Sequence, residues 1–133
     1  RGTDPTPIRE CLMTSYNGPA KIGKAVCMPG DIVMGTTSGI LFIPAYLVEE
    51  LVNSAEKSHA KDIFGFAMLE QGIYTAAEID STVWPEEMVD KMINFIEHDS
   101  SCEKYRGLDW SLEIDAARGN QEAVDELMKG YLV

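Results

Sequence analysis

A chain of 133 residues, 45% hydrophobic and 25% charged, has the length and composition of one globular domain with a single modest core. Its 22 acidic against 11 basic side chains leave a formal charge of −11, a field that repels phosphate backbones and argues against nucleic acid as a partner. No apolar run approaches the ~18 residues needed to cross a bilayer, and no basic segment leads into an apolar one as a secretory signal requires.

A cytoplasmic protein with no membrane partner is expected. The three cysteines, Cys11, Cys27 and Cys102, form no CxxC pair and no zinc pattern with His59 and His98, so reduced thiols are the reading. The chain opens on Arg1 rather than methionine, which suggests a processed or truncated product.

In chain order, residues 1–20 hold three of the six prolines, at positions 5, 7 and 19, together with Asn17-Gly18. Proline fixes φ and removes a donor, so an extended, loop-rich lead-in is predicted. Residues 22–28 read as a short strand interrupted by Gly23. Pro29-Gly30-Asp31 is turn chemistry, with Asp31 as a turn-capping carboxylate. Ile32-Val33-Met34 and Ile40-Leu41-Phe42-Ile43 are near-continuous apolar runs, as expected of strands covered on both faces, and residues 36–39 link them as a hairpin.

Pro44 suits the first turn of a helix, and Leu47, Val48, Leu51, Val52 and Ala55 follow as an apolar stripe at helical period. A second helix is predicted over residues 62–71, with Ile63, Phe66 and Leu69 on one side and Gly72 as its stop. Thr75-Ala76-Ala77-Glu78 fits a capping box. Pro85 opens a further helix with Met88, Val89, Met92, Ile93 and Ile96 as its apolar face. Residues 99–106 read as a polar break, and two last helices, 110–118 and 121–130, flank Gly119-Asn120.

Generic chemical motifs are sparse. There is no Walker-type loop, GxGxxG, HExxH or GxSxG. His59 and His98 stand alone, and Met88, Met92 and Met128 lie at packing positions. Composition and periodicity by themselves stop at an α/β domain.

The stretch "PGDIVMGTTSGILFIP" with the stripe that follows it goes further. It resembles the C-terminal half of the RraA-like family, which includes divalent-metal 4-hydroxy-4-methyl-2-oxoglutarate aldolases and the regulator of ribonuclease E activity. The family pattern is a strand, PGD, an apolar triplet, a short glycine-bearing link, an apolar quartet, a proline and an amphipathic helix. Arg1-Gly2-Thr3 is similar to the family's A-R-G-T strand end, and the stretch Gly18-Pro19 to Gly23 is similar to its N-x-P-x-x-x-G-G segment. The resemblance covers residues 1–65, and the span from Phe64 to Asp80 is similar to a longer bacterial branch.

The resemblance implies part of a swivelling β/β/α domain over residues 1–62, with an α-helical extension over 63–133 that packs on it or on a neighbouring subunit. It implies a lyase fragment: retro-aldol cleavage or decarboxylation of a small 4-hydroxy-2-oxo acid, giving pyruvate, with Mg²⁺ or Mn²⁺ stabilising the enolate in the complete protein. It also implies a homo-oligomer, a trimer or hexamer. Two departures stand out. The family's A-D-x-x-G link is Gly35-Thr36-Thr37-Ser38-Gly39 here, without charge. The Gly-rich loop and the G-x-x-R-D motif, which carry substrate and metal, do not occur in these 133 residues, so no cation is expected to be held by this chain alone.

One family position is carried over. A glutamate near the end of the post-proline helix, which reaches a neighbouring subunit's site, falls on Asp62 when counted from Gly30 without gaps. Asp62 is therefore the catalytic candidate, as a cross-subunit acid/base, although aspartate is one methylene shorter. Read locally, it is the N-cap of the helix over 62–71; the two roles are compatible. The rival reading of the whole chain is a non-catalytic regulator that docks an acidic surface on a protein partner.

Overall fold

The computed structural model describes Met13 and residues 15–129. Arg1-Gly2-Thr3, Pro5, Pro7, Cys11 and Gly130 lie outside the described residues. The architecture is mixed α/β: two small antiparallel two-stranded sheets, then a mostly helical remainder. The chain divides into two compact units, one ending at Leu51 and the other beginning at Val52. The boundary expected at residue 62 falls inside a helix.

In the first unit, β1 (Ala20–Ile22) pairs with β2 (Ala25–Cys27), Ile22 facing Ala25. The single strand predicted over 22–28 is thus folded at Gly23. That residue takes φ +62°, and primed hairpin turns need positive φ at their first central residue. The Pro29-Gly30 pair makes the predicted turn: Asp31 N–H donates to the Met28 carbonyl at 3.1 Å, and Asp31 Oδ2 accepts from Met28 N–H at 2.7 Å. Gly30, at φ +90°, occupies the type II position that a Cβ disfavours.

β3 (Ile32–Thr36) and β4 (Gly39–Ile43) form the second hairpin, in register from Ile32–Ile43 to Thr36–Gly39. Thr36 Oγ1 accepts from Ser38 N–H and donates to the Gly39 carbonyl, closing the loop. Within the first unit the expected cover on both faces is not found among the described residues: Val33 is 58% and Ile40 61% exposed. Pro44 then leads into a 3₁₀ turn (Ala45–Leu47) and α1 (Val48–Glu70).

α1 runs 23 residues without a break, so the separate helix predicted over 62–71 does not exist and Asp62 caps nothing. The polar run from Glu56 to Asp62 contains no Gly or Pro to stop a helix, and Lys, Glu and Ala are strong helix formers. The buried stripe also differs from the predicted one. Ala60, Phe64 and Met68 face the core at i, i+4 and i+8, while Phe66 is 66% exposed, and Leu47, Leu51 and Val52 are exposed. Gly72 stops α1 as expected: Ile73 N–H reaches the Met68 carbonyl and Gly72 N–H that of Leu69, with Gly72 at φ +67°.

In the second unit, α2 (Ala76–Ile79) starts with the predicted capping box, Thr75 Oγ1 accepting from Glu78 N–H and Glu78 Oε2 accepting from Thr75 N–H. α3 (Glu86–His98) follows Pro85 and buries Met88, Val89, Met92 and Ile96 as predicted. The "polar break" is instead a 3₁₀ helix (Ser100–Tyr105) whose Cys102 and Tyr105 are buried in the core. Asp99 caps it by accepting from Ser101 N–H at 2.8 Å.

α4 (Ser111–Ala117) and α5 (Gln121–Lys129) are separated by Gly119, at φ +88°. The core of this unit gathers α1, α3, the 3₁₀ helix, Trp84 and Trp110 around Phe64, which meets Trp84, Phe95 and Tyr74 ring to ring. Among the described residues no helix is long and apolar enough to cross a membrane.

Candidate functional site

Asp62 sits on the exposed side of α1, one turn before Phe66. With Leu69, Ala76, Ile79 and Asp80 these two residues line a shallow depression of about 170 Å³. Four of the lining side chains are apolar and two are carboxylates. The local cause is the contact of α1 with α2: Gly65 lies so close to Ile79 that a Cβ there would stand 2.8 Å from the isoleucine Cγ2. The missing side chain lets α2 approach α1 and shapes the depression.

One turn back on α1 lies an arrangement that the sequence reading did not single out. Glu113, on α4, is 7% exposed and takes two lysines. Lys57 Nζ donates to Oε2 at 3.0 Å and Oε1 at 3.3 Å, and Lys61 Nζ lies 3.5 Å from Oε1. Each ammonium also stands over an indole, Lys57 over Trp110 at 5.3 Å and Lys61 over Trp84 at 5.6 Å. Burial pushes the Lys61 ammonium below its ordinary 10.5, while the charge and hydrogen bond of Glu113 pull it back and Lys57 adds to the depression.

A carboxylate so enclosed tolerates burial only because both oxygens are satisfied. The signal in the sequence was Lys57 and Lys61 at i, i+4. Two like charges on one helix face repel and call for an acid between them.

The two histidines are not idle in structural terms. His59 Nδ1 shares a hydrogen bond with the buried Tyr105 hydroxyl, edge-on to its ring, and His98 Nδ1–H donates to the Asn94 carbonyl at 2.8 Å. Among the described residues no three His, Cys, Asp or Glu side chains gather closely enough to hold a metal ion. The resemblance places the divalent cation on the G-x-x-R-D segment and gives Asp62 no ligand role. Set against protein-family models, curated proteins and solved structures, the chain matches none.

Proposed function

We propose that the chain is the C-terminal portion of an RraA-like β/β/α lyase acting on a small 4-hydroxy-2-oxo acid, with Asp62 as the acid/base it offers to a neighbouring subunit. The observation that carries this reading is the bare β3–β4 hairpin. It stands between the Pro29-Gly30-Asp31 turn and the Pro44-led helix, in the family's order, and its Ile32, Val33, Met34, Ile40 and Leu41 side chains lie exposed. Strands of this composition are stable when further strands or helices cover them, so cover from a larger domain or another subunit fits this reading; the trimer or hexamer is what the family resemblance implies.

In this reading Asp62 takes the proton of the substrate's 4-hydroxyl as the C3–C4 bond breaks, and returns one to C3 of the resulting enolate to give pyruvate. Exposure on α1 leaves its carboxylate free to reach another protomer. The metal requirement belongs to the G-x-x-R-D segment of the family pattern. The test is pyruvate release from 4-hydroxy-2-oxo acids by the full-length protein supplied with Mg²⁺ or Mn²⁺. Failure with every such acid overturns the proposal.

A second reading is favoured by the charge of −11. A non-catalytic regulator of the ribonuclease E type would use its acidic helical unit as a protein-docking surface. Asp62→Ala kinetics separate the two, since a regulator has no turnover to lose.

A further inference from the structure

We infer that the depression between α1 and α2 is a docking groove for a basic segment of a partner protein, one that lays an arginine side chain along Phe66 with its guanidinium between Asp62 and Asp80. The inference does not rest on the lyase reading and is an alternative to it, since an arginine on Asp62 would occupy the carboxylate that reading offers to a neighbouring subunit. Three observations meet here. Phe66 is 66% exposed although it is a large aromatic, close to the C-terminal end of α1, and Leu69, Ala76 and Ile79 extend its apolar surface into a groove of about 170 Å³.

Asp62 and Asp80 line the same groove, and neither takes part in the ion pairs found among the described residues. The nearest lysine on α1, Lys61, is turned to Glu113 and Trp84 and does not neutralise them.

An apolar lining that also carries two carboxylates, neither in an ion pair among the described residues, selects a side chain that is apolar along its stem and cationic at its tip. Arginine meets both demands: its methylenes cover apolar surface, its planar guanidinium stacks on an aromatic face, and its fork of donors fits carboxylates. Lysine shares the charge but neither the plane nor the fork. The charge of −11 adds long-range attraction for a basic partner and repels nucleic acid and anionic membranes.

The probe is a synthetic peptide alternating arginine and leucine, beside a twin with citrulline in place of arginine, each titrated into the ¹⁵N-labelled chain. The expected result is saturable shifts confined to the amides around Asp62, Phe66 and Asp80, weakened by salt, with the citrulline twin bound at least tenfold more weakly. Asp80→Asn and Phe66→Ala, both exposed positions, each weaken the arginine peptide about fivefold or more. Equal binding of the two peptides would mean a merely apolar surface and overturns the inference. So do shifts spread over all acidic faces, or a second copy of the chain occupying the groove with no response to peptide.

Discussion

Lys57 Nζ stands 3.0 Å from Glu113 Oε2, tying the middle of α1 to the first turn of α4 across 56 residues of sequence. Lys61 completes the clamp from one turn further along. Removing the shared acid strands two largely buried ammonium groups. Glu113→Gln is therefore expected to destabilise the helical unit by on the order of 3 kcal/mol, read from urea unfolding midpoints. Replacing all three charged residues by methionine should recover most of that loss, because an apolar substitute carries no desolvation cost. A Glu113→Gln variant as stable as the parent would show that the clamp contributes nothing.

Lys61 gives the clamp a pH dependence. Its folded-state value is held below the ordinary 10.5, chiefly by burial. Between the two values the unfolded chain binds more protons than the folded one, so stability rises with pH across that window. Below it, the unfavourable contribution of charged Lys61 is present in full. In Lys61→Met this rise is absent, and in the parent a ¹³Cε titration places the Lys61 midpoint under 10.5. A midpoint at or above that value contradicts the account.

Gly65 is where α1 and α2 touch. Gly65→Ala improves helix propensity by about 1 kcal/mol but drives a methyl to 2.8 Å from Ile79 Cγ2, an atom fixed to the isoleucine's own Cβ. Overpacking of this kind costs about 1–3 kcal/mol, so net destabilisation of about 1 kcal/mol is expected. Combining it with Ile79→Ala should give less than the sum of the two losses, measured as a double-mutant cycle. Strict additivity would place the strain elsewhere.

The capping box at α2 titrates in acid. Hydrogen bonds from the Thr75 amide and hydroxyl hold the Glu78 carboxyl below its ordinary 4.5. Its contribution is present above 4.5 and is lost as pH falls through the lower folded-state value. The same sign holds at Asp99, held below 3.8 by the Ser101 hydroxyl and amide, and at Asp109, held below it by the Ser111 amide and hydroxyl. In Thr75→Ala the Glu78 midpoint moves up toward 4.5 by NMR titration, and the α2 amides exchange faster. An unmoved midpoint would mean that the cap does not form.

Local signals in the sequence translated well where one residue's chemistry decides the outcome. Pro29-Gly30 made its turn, Gly72 ended α1, Thr75 and Glu78 formed their box, and Pro85 opened α3. Signals that depend on neighbours far along the chain did not. The run around Lys57 and Lys61 looked like a gap between helices because its charges point to a core-side partner, Glu113, that lies on another element. The 3₁₀ helix looked polar because only Cys102 and Tyr105 of its six residues turn inward. Asp62 lies within the post-proline helix, eight residues before its last residue. Its role as a cap failed because that helix continues to Glu70.

The sharpest measurement is the turnover of Asp62→Ala in the full-length protein, followed as pyruvate released from a 4-hydroxy-2-oxo acid with Mg²⁺ or Mn²⁺ present. Loss of a positioned acid/base is worth about 10²–10⁴-fold, so kcat should fall by that order while Asp62→Glu keeps much of the parent rate. An Asp62→Ala protein that turns over like the parent, or a parent that releases no pyruvate at all, contradicts the account.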